Sequence, residues 1–459
     1  MPTTLYLDTA RLGRMSPSAQ QTHHEFVRLA AEEPSSLYFE GFLRSGYSAW
    51  PDGYQRRFPG LSLWPGIAGL KRRLNRLVGR PDSSHVLIAS RSAQLMTLAA
   101  RILSKTCRSI FTTDFSWPAY QNILQHEARR IGNHVHVAQC RRPVLRERMR
   151  PDELVTSIVQ EYVDRNCDGL FLPAVDNLGI RLPIREIVVA LRRQARLRFV
   201  AVDAAQALAH VPLDEYVSVA DLTIAGAHKW LSGYFPLGVA FFGQPGTQEI
   251  INHAATGMVQ TGELDDGLLR FCGQLTDANL DGYSETVNLG PLFSCYGAAA
   301  DALATVGPAS NATTIQSANA ERIRDICQVG IWRPLMPETG FRTGILLLES
   351  CNVLTHLATG EAVRWFFQDR GALVTGYDGG IARLSMPKCR FSSLALRTLE
   401  KLLVDRGNWT AGRKLSSTGG PRAGILTPHH GSQTNQCNKD DQAFLREAVQ
   451  QCSQEKVQW

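Results

Sequence analysis

The sequence predicts an α/β fold, with a large domain on a mainly parallel sheet followed by a smaller α+β domain, and three observations carry that expectation. Seven short apolar runs recur: VLIAS at 86–90, SIFTT at 109–113, HVHVA at 134–138, GLFLP at 169–173, RFVAVD at 198–203, DLTIA at 221–225 and GVAFFG at 238–243. Amphipathic helical patterns separate most of them, and continuous rather than alternating apolar runs imply strands covered on both faces, as in parallel sheets. After residue 243 the order changes: a long helical pattern at 290–306 precedes the runs RTGILLLES at 342–350, ALVTG at 372–376 and IARLS at 381–385.

At 459 residues the chain exceeds what one core usually serves, because single cores stop growing at about 250–300 residues. The expected division is an N-terminal segment and entrance loop over 1–70, a large domain over 71–295, a small domain over 296–407 and a tail over 408–459. The stretch SGYSAWPDGYQRRFPGLSLWPG is dense in Gly, Pro and aromatics and reads as irregular chain lining the substrate entrance. From about residue 408 the composition turns to Gly, Ser, Thr, Gln and Asn, which reads as a disordered tail with at most one helix near 441–452.

A 44% hydrophobic and 20% charged composition is that of a globular protein. The net charge of +7 comes from 49 basic and 42 acidic residues spread along the chain. Clusters such as Lys71-Arg72-Arg73 fit solvated helix faces, so no nucleic-acid partner is expected. The ten cysteines form no CxxC pair or metal-ligand spacing and read as reduced, mostly buried thiols, with no metal expected. No run reaches membrane-spanning length, and the first residues lack a signal-peptide pattern, so a cytoplasmic location is the default.

The densest chemistry lies at 202–243. Asp203 ends one apolar run and Lys229, 26 positions later, follows the next through the small residues Ala225, Gly226 and Ala227. A lysine in a partly desolvated pocket keeps a neutral amine fraction that can attack a carbonyl. Taken singly, Lys229 also fits an ordinary loop lysine and Asp203 a helix N-cap. As an ordered set, Asp203-Ala204-Ala205-Gln206, His210-Val211-Pro212-Leu213-Asp214, Ala220-Asp221 and His228-Lys229-Trp230-Leu231, with Pro236, Gly238 and Phe241, closely resembles the aminotransferase class V family. That family comprises fold-type I pyridoxal-phosphate enzymes, including cysteine desulfurases, kynureninases and isopenicillin N epimerase.

The resemblance, which spans roughly residues 6–405, implies a seven-stranded sheet whose last strand is antiparallel, and pyridoxal 5'-phosphate as cofactor. It implies that Lys229 forms the Schiff base, that Asp203 partners the pyridine nitrogen, that Gln206 bonds the phenolic oxygen and that His228 lies beside the phosphate. Ser92 and Arg91, at a turn opening a helix, would hold the phosphate, since helix N-termini favour anions; relatives more often have Gly and Thr there. Trp117 would stack on the ring, and Asp176 stands where relatives place an asparagine near the phenolic oxygen. Thr286, in Glu285-Thr286-Val287-Asn288, would reach the neighbouring subunit's phosphate in a homodimer with shared sites. Arg383 would grip the α-carboxylate of an amino-acid substrate. His210 reads as structural, and Tyr6-Leu7-Asp8-Thr9-Ala10 resembles a phrase that lies over the active site.

These expectations describe a transaminating enzyme. A lyase acting on C–S or C–C bonds, an amino-acid epimerase and a non-catalytic binding protein that keeps the fold are the alternatives. Desulfurases of the family carry a nucleophilic cysteine just before the arginine strand. Here that connection, 373–380, has none.

Overall fold

The computed structural model describes residues 4–33, 40–276, 286–306, 312–351 and 358–404. The expected tail at 408–459 and Glu285 lie outside the described residues. In chain order the strands are β1 (Leu5–Tyr6), β2 (Val86–Ala89), β3 (Ser109–Thr113), β4 (His134–Ala138), β5 (Gly169–Pro173), β6 (Phe199–Asp203), β7 (Leu222–Gly226) and β8 (Gly238–Phe242). They are followed by β9 (Trp332–Leu335), β10 (Ile345–Ser350), β11 (Ala372–Leu373), β12 (Thr375–Tyr377) and β13 (Ile381–Ser385).

All seven predicted apolar runs are strands of one sheet, in the order β2-β8-β7-β6-β5-β3-β4. Only β8 runs against its neighbours, β2 and β7, so the last strand is antiparallel as expected, inserted between two parallel ones. Successive residues serve opposite faces. Leu170, Leu172, Val200 and Val202 join the core on one side, whereas Phe171, Phe199 and Ala201 join the core on the other. Covering both faces is why the runs are continuously apolar, and truncating a ring such as Phe171 there costs about 3–5 kcal/mol.

The smaller unit has a four-stranded antiparallel sheet, β12-β13-β10-β9, and a two-stranded parallel pair, β1-β11. The N-terminus is thus bound into the small unit, 367 positions on in sequence, by Leu5 opposite Ala372. β9 has no counterpart among the predicted strands. It is a sheet edge carrying Pro334, and proline within a short run argues against a strand except at an edge. The helix Gly290–Val306 forms as predicted, and it runs through the expected division at 295/296.

The aromatic stretch expected to line the substrate entrance is packed instead. Trp50, Phe58 and Trp64 are buried beside Phe42, with Trp64 against Phe293 and Tyr296 of the helix Gly290–Val306. The chain there makes a short helix, Asp52–Arg57, between 3-10 turns. Its Gly and Pro residues do break long helices, but its rings fill an interface, because burying large aromatic area outweighs leaving it at a wet entrance.

Candidate active site

Parallel strands end at one edge of the sheet, and ligands bind beyond such ends. Five ends supply one cavity of about 510 Å³, within the ordinary size for a small-ligand site. After β2 comes Ser92, after β3 Phe115 and Trp117, after β5 Asp176, at the end of β6 Asp203, and after β7 His228 and Lys229. The opposite wall comes from the small unit, with Arg364, Thr375, Tyr377 and Arg383. Ala10 and Arg11 of the N-terminal segment complete it.

Lys229 and Asp203 share the floor. Burial pushes the Lys229 amine below its ordinary value, Arg383 adds to this and Asp203 opposes it. Asp203 accepts the Ala205 N–H at 2.8 Å. Burial pushes its carboxyl up, against the pull of that N–H and of Lys229. The loop that follows Lys229 contains two non-glycine residues in the left-handed region, Ser232 (φ 66°) and Tyr234 (φ 64°), a conformation that persists only where surroundings hold it. Here the backbone does: the Gly13 N–H donates to the His228 carbonyl at 2.7 Å and the Ser16 N–H to the Ser232 carbonyl at 3.0 Å. A Cβ at Gly13 would stand 1.9 Å from the Lys229 carbonyl oxygen, so glycine is what lets the N-terminal segment lie this close to the lysine.

At the other side of the floor, Ser92 begins the 15-residue helix Ser92–Thr106 and its hydroxyl is 2.8 Å from the Tyr120 hydroxyl. The unpaired N–H groups of that helix end, the two hydroxyls and His228 form an anion-suited corner. Arg91 is exposed and outside the lining. As N-cap it has extended backbone (φ −147°, ψ 149°), in which neighbouring side chains point opposite ways. Its backbone is pressed against β8, since a Cβ at Gly238 would lie 2.5 Å from the Arg91 carbonyl carbon. Gly226 faces the His228 ring, with Cε1 3.0 Å from where a Cβ would be. A larger residue there would require the ring to shift by a few tenths of an ångström. Burial and Lys229 hold His228 down to about 4, so near pH 7 it is neutral and offers a hydrogen bond rather than a charge. Its Nδ1 is buried with no partner.

Gln206 lines the cavity but is largely spent on the fold: Nε2 donates to the Ala10 carbonyl at 2.7 Å and Oε1 accepts from Trp230 Nε1 at 2.9 Å. One amide hydrogen remains. Asp176 is similarly divided. Oδ1 accepts the Leu178 and Ile180 N–H groups at 2.9 and 2.8 Å, and Oδ2 has no hydrogen-bond partner, with Arg141 3.7 Å away. Burial raises its carboxyl to about 6 against Arg141 and those N–H groups. Trp117, 46% exposed, stands at the cavity edge as N-cap of the helix Pro118–Arg129. His210 is structural: it stacks on Trp230 with ring centroids 3.7 Å apart, its Nδ1 pairs with the Gln206 carbonyl and its Nε2 accepts the Gly344 N–H. Thr286 is exposed and outside this chain's cavity lining.

Arg383 sits on an inner strand of the small sheet and is 4% exposed. Alternation along β13 sends Ala382 and Leu384 into the small core, and Arg383 and Ser385 toward the N-terminal segment. The Ser385 hydroxyl accepts the Ala10 N–H at 2.9 Å. The guanidinium donates to the Asn177 carbonyl at 2.9 Å and to the cross-strand Thr375 hydroxyl at 2.9 Å, with Asp8 at 3.5 Å. Nε is buried without a partner.

Sequence reasoning did not single out Tyr120, Arg11, Arg364 or the position of Asp8 against Arg383. Tyr120 had a usable signal, being three residues after Trp117 on a helix and so on the same face. The others depend on the small unit closing over the sheet, which no local pattern encodes.

The seven-stranded, mostly parallel sheet has the fold of the fold-type I pyridoxal-phosphate enzymes. Residues 66–266 match the family model for aminotransferase class-V, the family that the motifs at 198–243 resemble. No curated protein sequence matches the chain. Among solved structures, a complex of the cystine C-S lyase C-DES with its product cysteine persulfide is similar, with a TM-score of 0.62 and 16% identity over 88% of this chain and 98% of that one. The ureidoglycine-glyoxylate aminotransferase of Bacillus subtilis gives 0.60 and 14% over 89% and 96%. The cysteine desulfurase CsdA of Escherichia coli gives 0.61 and 14% over 87% and 93%. At these identities the likeness is one of fold.

The residues fit pyridoxal 5'-phosphate, the cofactor of that family. The cavity has the volume, an anion-suited helix end, an amine of lowered basicity and a carboxylate on its floor. His228 Nδ1, Asp176 Oδ2 and Arg383 Nε are buried polar atoms that the chain itself does not satisfy, and such atoms call for a partner. No group of three or more His, Cys, Asp or Glu residues that could hold a metal occurs among the described residues.

Proposed function

We propose that this enzyme transaminates an amino acid, using pyridoxal phosphate joined through Lys229. The observation that carries this reading is the pairing of a half-buried Lys229 and a buried Asp203 on one wall with a buried Arg383 on the other, facing one cavity. When bound, the cofactor supplies an electron sink for the pair left by loss of the Cα proton. The protein's own groups supply the rest. Lys229, its amine pushed down by burial, takes and returns that proton at Nζ. Asp203 holds a positive N–H on the floor, and Ser92, Tyr120 and His228 take the phosphate. Arg383 offers its unpartnered Nε–H to a carboxylate, and a second, parallel N–H where the carboxylate takes the place of the 3.5 Å contact to Asp8, which orients the Cα–H bond as well as adding affinity.

Lyase and epimerase chemistry would use the same residues. The similar solved structures include both lyases and aminotransferases by their titles, so fold does not choose between them. What favours transamination over sulfur transfer is the connection 373–380, which carries no cysteine. The two exposed cysteines among the described residues, Cys351 and Cys389, follow β10 and β13 and do not line the cavity. The deciding experiment is product analysis after mixing the loaded protein with amino acids. A keto acid released with an aminated cofactor supports the reading, whereas pyruvate or alanine formed without an amino acceptor would assign a lyase. A homodimer is part of the proposal, since exposed Thr286 can serve a partner's site but not its own.

A further inference from the structure

The cavity contains more positive charge than cofactor and α-carboxylate use. Of its cations, Lys229 is assigned to the cofactor and Arg383 to the α-carboxylate. Arg364 and Arg11 also line it, and neither makes an ion pair or side-chain hydrogen bond among the described residues. The acid one turn back on the Arg364 helix, Glu361, bonds instead to Trp365 Nε1 at 3.4 Å. The acids lining the cavity, Asp176 and Asp203, lie at the sheet edge and are held by backbone N–H groups. Asp8 is already bonded to Thr375 and Arg383.

Arg364 is also positioned by construction. It lies one turn into the helix Gly360–Gln368, and that helix start is jammed onto β12. A Cβ at Gly360 would stand 2.5 Å from the Gly376 carbonyl oxygen, and one at Gly376 would stand 2.1 Å from the Gly360 carbonyl oxygen and 3.1 Å from the Arg364 nitrogen. The Gly360 N–H is anchored on Asp378 at 2.7 Å. Two facing glycines therefore bring the first turn, and Arg364 with it, to the cavity wall beside Tyr377. That wall belongs to the small unit, across from the Ser92 corner that suits the phosphate. Arg364 is half-buried and Arg11 exposed at the cavity mouth; a neutral side chain would leave both without an anion, whereas an anionic one would pair with them through charge-assisted hydrogen bonds.

We infer that the substrate is an amino acid with a second anionic group on its side chain, a dicarboxylic amino acid or a phosphate-bearing counterpart, and that Arg364, assisted by Arg11, receives that group. This rests on the proposed function, but its test reads binding and not turnover. Glutarate is butyrate with a terminal hydrogen replaced by a second carboxylate. Isothermal titration of the loaded protein should show glutarate binding about tenfold or more tighter than butyrate. Arg364→Gln should remove that difference by weakening glutarate alone, and Arg11→Gln should weaken it about twofold to threefold, as suits an exposed charge. Arg383→Lys should weaken both ligands. 3-Phosphonopropionate separates the two anions: preference for either it or glutarate over butyrate, lost in Arg364→Gln, supports the inference. Equal affinities for all three ligands, or a preference that survives Arg364→Gln, would overturn it. If instead the ligands behave as inferred but no cofactor adduct forms on Lys229, the proposed function fails and the anion site stands.

Discussion

The two walls of the cavity are built on different physics. The sheet wall is a consequence of topology: once seven apolar runs stack in parallel, Ser92, Trp117, Asp176, Asp203 and Lys229 emerge at one edge because their strands end there. The small-unit wall is held by long-range closure. Arg383 reaches the cavity through its pairing with Thr375 and Asp8, and the N-terminal segment is fixed by β1 on β11 and by Gln206 on Ala10. On the proposed function, one wall carries the reactive floor and the other orients the substrate over it. Changes on the sheet wall should strike kcat, and changes on the small-unit wall should strike kcat/KM and specificity.

Asp203→Asn should show the largest effect on that division. Loss of the floor carboxylate should lower kcat about hundredfold, a barrier increase of about 2.7 kcal/mol, while KM changes little; a rise in KM with kcat intact would erase the distinction. Arg383→Lys should do the opposite, lowering kcat/KM for α-amino acids by more than about tenfold with cofactor absorbance unchanged. Amines without a carboxylate reacting as well as amino acids would show that Arg383 is not a substrate grip.

A third prediction concerns the joint between the walls. His210, neutral and clamped between the Gln206 carbonyl and the Gly344 N–H, is pushed from its ordinary 6.5 down to about 3 by burial. Its folded pKa is depressed, so the unfolded chain binds its proton first. The stability it lends is full above about pH 6.5 and is lost as pH falls toward 3. Urea titrations across that window should show falling stability, and His210→Gln should flatten the slope. The smallest effect belongs to Thr286→Ala, which should weaken cofactor retention by about 1 kcal/mol, one hydrogen bond, and only in a dimer. Light scattering that finds a fully active monomer would remove Thr286 from the site.

The same contrast governs what was legible in the sequence. Strand runs are local and periodicity locates them, whereas the ordered residues from Asp203 to Lys229 and the antiparallel last strand were legible through the family resemblance; the sheet, that strand and the helix Gly290–Val306 follow expectation closely. The entrance segment misled because aromatic density signals burial as readily as a ligand surface, and only the packing of Trp64 on Phe293 decides between them. Arg91 was indistinguishable from Ser92 in sequence, since which of two neighbours faces the cavity depends on N-cap geometry. Arg364 was invisible because its placement depends on two glycines, Gly360 and Gly376, meeting across a helix and a strand.

The central claim is that Lys229 is the amine joined to the cofactor. The chain offers a natural rival in Lys388, which burial pushes down to about 8 but which donates to the Trp230 carbonyl and does not line the cavity. Borohydride reduction of the loaded protein followed by peptide mapping reads the two apart. The adduct is expected on Lys229 alone, with Lys229→Ala retaining weak cofactor binding and losing turnover. An adduct on Lys388 or any other lysine, or an active Lys229→Ala variant, would contradict the account.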